Sequence, residues 1–204
     1  GAWWVEWAGI DGYRIDTYPY NEKEPMSEWN RSMRTEYPWI NIVGEVWSTI
    51  IPQVAYWQDD NPNPDGFDSN LPTIMDFALQ GAICGSINVD TESWEEGITK
   101  VYTSISNDIY LHSPMDIMVF PGNHDTDHLA DVTDGNPAKI KLVLTLLSTV
   151  RGFPQFFAGD EIIARSLALG QGDGPRRVEF DESWADDPDK VEVHDYMTSL
   201  LQWR

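Results

Sequence analysis

Along the chain, short apolar runs alternate with longer stretches in which apolar residues recur every three or four positions, the rhythm of βα units built around a parallel sheet. The pattern predicts five strands, at residues 10–16, 40–46, 66–71, 117–122 and 155–158, with polar or charged residues gathered at their ends. The most regular helix is expected at 137–151, where Ile140, Val143, Leu144, Leu147 and Val150 form one apolar stripe. Asn136 and Pro137 suit its cap and first turn, and Gly152 suits its stop. Further helices are expected at 26–36, 93–109 and 191–204, on less regular apolar faces. Residues 59–65, DDNPNPD, hold too much Pro, Asn and Asp for either element and are expected to loop. Residues 169–188, with GQGDGP and an acidic run, are expected to wander over the surface after the last strand.

Composition narrows the partners more than the fold. A chain of 204 residues, 41% of them hydrophobic, can bury a core of about one domain. The formal charge of −21, from 34 acidic and 13 basic residues, repels phosphate backbones and anionic headgroups. No nucleic acid partner is therefore expected. No membrane insertion is expected either, because no stretch is long and apolar enough to cross a bilayer. A neutral ligand fits this charge. Ten Trp would suit the C–H faces of sugars, although a core role is as natural for any one of them. The single cysteine, Cys84, excludes an internal disulfide and a multi-cysteine zinc site, and is expected to serve as a small buried hydrophobe.

Ligands of parallel α/β folds gather beyond the carboxyl ends of the strands. GIDGYRID places Arg14 and Asp16 at the first such end, IVGEVW places Glu45 at the second, and VFPGNHD places Asn123, His124 and Asp125 at the fourth. The spacing of about one and then two βα units allows the three carboxylates to face one cleft. Two carboxyl groups in different proton states are what glycosidic hydrolysis requires. Arg14, two residues before Asp16 on the same face of an extended strand, can hold that carboxylate ionised, which suits a nucleophile. Glu45, between Gly44 and the apolar pair Val46 and Trp47, is expected to be partly desolvated, which suits a general acid. Taken singly, Arg14 and Asp16 would equally make a structural ion pair, and Glu45 an exposed loop carboxylate. HDTDH, residues 124–128, also collects metal-ligand types within five positions, a competing reading of the same segment.

In order and content, GIDGYRID, VGEVW and FPGNHD resemble the signature segments of the α-amylase family, glycoside hydrolase family 13. The likeness continues through RGFPQFFAGDE and GDGPRRVEF and so covers nearly the whole chain. It implies the C-terminal part, about strands 4 to 8, of a TIM-type (β/α)8 barrel. It implies Asp16 as nucleophile, Glu45 as acid/base and Asp125 as the third carboxylate, which holds sugar hydroxyls. Arg14, His124 and Asn123 would orient the nucleophile or bind the same glucose unit. Within the family, LPTIMDFALQ is closest to the neopullulanase and cyclomaltodextrinase group, including periplasmic enzymes of bacterial starch utilisation. TYPY departs from many α-amylases by putting Pro19 and Tyr20 where a Lys and His pair is common. Tyr18, Tyr20 and Trp47 are candidates to stack on sugar there, or to be plain walls of the barrel mouth.

The resemblance implies a retaining hydrolase of α-glucosidic linkages in starch, pullulan, cyclodextrin or maltooligosaccharides. An α-glucan transglycosylase shares the same intermediate, and a non-catalytic glycan-binding barrel is the alternative of another class. Residues 1–204 are expected to be a partial catalytic domain, lacking the first barrel strands and the C-terminal β domain, and weakly active or inactive alone. Open sheet edges would then favour a homo-oligomer. The location expected is periplasmic or secreted, with the cytoplasm an alternative. No metal is assigned to this chain, while a structural calcium remains compatible with the full-length protein.

Overall fold

Ladder hydrogen bonds in the computed structural model, which describes all 204 residues, confine strand pairing to short stretches of the expected runs. In chain order the elements are α1 (Ala2–Ala8), β1 (Gly12–Ile15), α2 (Lys23–Glu36), β2 (Asn41–Gly44), α3 (Ile51–Ala55), β3 (Thr73–Ile74), α4 (Phe77–Cys84), α5 (Thr99–Ser106), β4 (Met118–Val119), α6 (Leu129–Val132), α7 (Pro137–Thr149), β5 (Phe153–Pro154) and α8 (Pro188–Trp203). Two compact units can be distinguished. The first comprises Gly1–Leu79, Ser104–Met118 and Arg151–Phe153, and the second comprises Gln80–Thr103, Val119–Val150 and Pro154–Arg204. No helix is long and apolar enough to cross a membrane.

In the first unit β1, β2 and β3 pair in parallel, in that order. Glycine sets the register. Gly12 lies opposite Asn41, where a Cβ would meet the Asn41 carbonyl oxygen at 2.7 Å. Gly44 lies opposite Ile15, and a Cβ there would meet Leu71 Cδ2 at 2.5 Å and Tyr18 Cγ at 3.1 Å. Behind the sheet Ile42, Leu71, Ile74 and Met75 are buried. A polar residue fixes α2 to this core: buried Asn30 donates from Nδ2 to the Tyr18 hydroxyl at 2.7 Å and to the Ser69 carbonyl at 2.8 Å.

The strand expected at 66–71 is corrected to Thr73–Ile74, because side chains take the backbone donors that a ladder would need. Asp68 accepts the Asn70 N–H at 2.9 Å and Ser69 Oγ accepts the Leu71 N–H at 3.0 Å, while Gly66 and Asn70 both have positive φ. The strand expected at 155–158 is likewise corrected to Phe153–Pro154, since Asp160 captures the Phe157 N–H and turns the chain. The helix expected at 93–109 shrinks to α5, after Gly97 at φ +60°, and is followed by a 3-10 turn at Asn107–Tyr110. Three short helices, α1, α3 and α6, and the longer α4 were not legible in the sequence pattern. In α1 the tryptophans Trp3, Trp4 and Trp7 are exposed, so no apolar stripe marks it.

An ion cluster closes the first unit. Arg151 donates from Nη1 to Asp76 at 2.7 Å and forks onto both oxygens of Asp108, at 2.8 and 2.6 Å. Asp76 is buried, and its other oxygen caps α4 by accepting the Leu79 N–H at 2.9 Å.

The second unit is built on α7, whose apolar residues Ile140, Val143, Leu144 and Leu147 are buried and whose Asn136 cap accepts the Ala138 and Lys139 N–H groups. Helix α8 packs on it through Val193 and Met197, with the Tyr196 hydroxyl 2.7 Å from Thr145 Oγ1. Cys84 is largely sequestered and burial pushes its thiol up to about 11. Asp160 is fully buried, and burial pushes its carboxyl up to about 7.

Removing Arg151 leaves Asp76 as an uncompensated buried charge, so Arg151→Ala should destabilise the fold by about 3–5 kcal/mol in urea denaturation. For Asp160, the folded state keeps a proton up to about pH 7 that the unfolded chain releases in the ordinary carboxylate range. Its contribution to stability therefore falls as pH rises through that window and levels off above it. Asp160→Asn removes the penalty, so its stability relative to the parent should grow with pH across the same window in thermal melts.

Candidate active site

Two groups of sequence-predicted residues are formed, one in each unit. In the first, β1 ends at Ile15 and the backbone pairing continues beyond it: Glu45 N–H donates to the Ile15 carbonyl at 2.9 Å and Tyr18 N–H to the Glu45 carbonyl at 3.0 Å. Residues 16 and 17 thus arch over residue 45. At the apex Thr17 adopts φ 43°, ψ 45°, a left-handed conformation that a β-branched residue rarely tolerates. The turn aims the Thr17 N–H at Glu45 Oε2, 2.9 Å away.

Arg14 lies between the two carboxylates. Its Nη1 donates to Asp16 Oδ1 at 3.0 Å and its Nη2 to Glu45 Oε1 at 2.5 Å. Glu45 has only 3% of its side chain exposed and Asp16 has 68%. Glu45 is buried, and each of its oxygens receives an N–H donor, one from Arg14 and one from Thr17.

Glu45 opens onto a cavity of about 480 Å³ whose wall includes Thr17, Tyr20, Trp47, Gln53 and Trp57. Trp47 stacks on Phe77 with ring centroids 4.7 Å apart, and Tyr20 is exposed. Tyr18 is a correction. It is buried to 1% exposure, its hydroxyl is held by Asn30, and its ring meets the edge of Trp57, so it has no face to offer a sugar. Gln53 and Trp57 were missed by the sequence reading. They lie one turn apart at and beyond α3, an i, i+4 pair that would have been visible had so short a helix been predicted.

In the second unit FPGNHD closes into a tight turn. Asn123 Oδ1 accepts the Asp125 and Thr126 N–H groups at 3.0 and 3.1 Å, and Thr126 Oγ1 accepts the Asn123 N–H at 2.8 Å. Gly122 is required there, since a Cβ would meet the Asp127 carbonyl oxygen at 2.6 Å. Asp125 is shared: Oδ2 is 3.0 Å from His124 Nε2, and Oδ1 accepts from Arg177 Nη2 at 2.9 Å. The segment 169–188 is more than a wandering surface loop. Arg176 donates to Asp127 and Asp173, and its carbonyl lies 2.6 Å from His128 Nε2. The metal reading of HDTDH loses its ligands to these partners, and no group of three or more His, Cys, Asp or Glu side chains is placed to hold an ion.

Comparison with known proteins gives a consistent result. The family description "Alpha amylase, catalytic domain" matches residues 2–197. A maltogenic alpha-amylase of Bacillus acidopullulyticus is 26% identical over 207 residues, which cover 100% of this chain and 32% of that protein. A cyclomaltodextrinase of a Bacillus species is 27% identical over 188 residues, covering 89% and 30%. The structure of an alpha-amylase from Geobacillus thermoleovorans, complexed with acarbose, superposes with a TM-score of 0.78 at 26% identity, covering 97% of this chain and 41% of that one. A cyclic α-maltosyl-(1→6)-maltose hydrolase from Arthrobacter globiformis, at 16% identity, shares the fold with a TM-score of 0.76 over 99% of this chain and 41% of that one. The chain spans about a third of the length of the curated relatives it matches.

Thr17 provides a test of the strain at this turn that needs no assay of activity. Glycine adopts a left-handed conformation at no steric cost, so Thr17→Gly should raise stability by up to about 1 kcal/mol in denaturant titration, net of the entropy glycine adds to the unfolded chain. Thr17→Val, equally β-branched, should give no such gain.

Proposed function

This chain belongs to the alpha-amylase family, and from that membership we propose that it supplies the reacting carboxylates of a retaining hydrolase acting on α-glucosidic linkages. The family's catalytic domain is a TIM barrel, and in this reading residues 1–204 contribute about strands four to eight of it, the earlier strands and a C-terminal β domain belonging to a longer protein. The substrate class is starch, pullulan, cyclodextrin or maltooligosaccharides, in line with the names of the relatives. A periplasmic or secreted location belongs to the same reading, by likeness to bacterial starch-utilisation enzymes.

The observation that carries the proposal is one guanidinium shared by two carboxylates of unequal exposure beside an aromatic-walled cavity. Exposed Asp16, oriented by its hydrogen bond from Arg14, attacks the anomeric carbon as the bond to the leaving sugar breaks. Glu45 passes a proton to the departing oxygen, and an ester joins Asp16 to the sugar. In the second half Glu45 takes a proton from water, whose oxygen attacks the anomeric carbon and frees Asp16. Tyr20 and Trp47 provide wall for the leaving-group side. Asp125, held by His124 and Arg177, is the third carboxylate in this reading and, with His124, grips the hydroxyls of the reacting glucose, whereas Asn123, expected to bind sugar, is corrected to a buried residue that closes the turn carrying them.

In the full-length protein, Glu45→Gln should lower kcat on maltooligosaccharides about 10²–10⁴-fold. In kcat/KM, which reports the first half of the reaction alone, the loss should be much smaller on an α-glucosyl fluoride, whose leaving group needs no proton. Asp16→Asn should abolish turnover of both substrates, and Asp125→Asn should lower kcat/KM on both. Equal losses of kcat/KM for Glu45→Gln on the two substrates would remove its role as acid.

A further inference from the structure

We infer that a second cavity, of about 660 Å³ and separated from the Glu45 cavity by α3, is an accessory binding site for a neutral oligosaccharide. The choice of an α-glucan as its ligand rests on the function proposed above. The two cavities share no lining residue, and α3 with the turn after it is the partition. Gln53 and Trp57 line the Glu45 cavity, whereas Pro52, Ala55 and Tyr56 line the second. Its remaining wall comes from residues 61–64, within the Pro- and Asn-rich loop, and from residues 109–112.

This wall is fixed before any ligand arrives. Asn63 Nδ2 donates to the carbonyls of Tyr56 and Phe67, at 2.8 and 2.9 Å, tying the loop to both of its flanks. The Tyr56 hydroxyl donates to Asp65 at 2.7 Å, its ring stacks on Phe67, and Lys23 Nζ lies 4.6 Å from the ring centroid. Pro62 and Pro64 restrict the loop further. Such preorganisation lowers the entropic cost of binding.

The chemistry of the wall selects the ligand. No Asp, Glu, Lys or Arg lines the cavity, in a chain whose net charge is −21. A phosphate or an acidic peptide would find no cation there. What the cavity does offer are ring faces and uncommitted neutral groups. Tyr110 is half-exposed with its hydroxyl free, exposed His112 has no partner, and Asn61 Oδ1 accepts no bond. Rings for C–H faces beside neutral donors and acceptors match a polyhydroxylated, uncharged chain. The volume lies within the usual ligand range of about 300–1,000 Å³.

The test is calorimetric titration of the full-length protein with an S-linked maltotetraose, whose sulfur linkages resist hydrolysis. Two sites are expected in the parent protein. Tyr110→Ala should weaken one of them at least about tenfold and leave the other unchanged. His112→Ala, at an exposed position, should act in the same direction on the same site, with an unchanged melting temperature showing that the fold is intact. Parent-like binding in both variants, or a single site in the parent, would overturn the inference. Because the probe is not hydrolysed, this result does not depend on the Glu45 assay: two sites beside equal losses for Glu45→Gln on both substrates would overturn the catalytic reading alone, and a single site beside the expected Glu45→Gln losses would overturn the accessory site alone.

Discussion

The arrangement of the first unit turns on Arg14, whose guanidinium is divided between Asp16 and Glu45. That contact exists because β1 and β2 pair with Ile15 opposite Gly44, which brings the two residues just beyond the strand ends within reach of one side chain. Gly44 in turn permits the register, since Leu71 and Tyr18 fill the space its side chain would occupy. Tyr18 can occupy that space because Asn30 satisfies its buried hydroxyl. A pair of charged residues just beyond the strand ends thus rests on a buried glycine, a buried phenol and a buried amide.

Much of the chain outside the regular elements is held by side chains bonding to backbone rather than by ladders. Between residues 59 and 71, Asn63, Asp68 and Ser69 accept or donate most of the bonds that strand neighbours would otherwise make. Such segments are rigid without being regular. The same economy appears in the second unit, where Asn123 and Thr126 close the turn that carries His124 and Asp125.

Charge is distributed to match. In a chain with 34 acidic and 13 basic residues, several arginines serve more than one carboxylate. Arg14 joins two carboxylates, Arg151 joins Asp76 to Asp108, and Arg176 joins Asp127 to Asp173. The planar fork of the guanidinium suits this use better than the point charge of lysine. Neutral walls are then the exception on an acidic molecule, which is why the cavity beside residues 109–112 stands out chemically.

The segments that carry the family likeness could be read directly, since GIDGYRID, VGEVW and FPGNHD need no contact from elsewhere to be recognised, and α7 was legible because its apolar stripe and its Asn136 cap are local. Sequence alone therefore determined the family, the βα rhythm and the candidate carboxylates. The tertiary structure decided what local pattern cannot express. It buried Tyr18 because Asn30, 12 residues away, offers its hydroxyl a partner. It moved β3 to Thr73–Ile74 because side chains claimed the donors before it. It gave Glu45 two N–H partners, one from a strained turn 28 residues away and one from an arginine 31 residues away. Hydrophobic period and chain spacing report the preferences of a residue and its near neighbours, whereas these outcomes were set by groups brought together only when the sheet register was fixed.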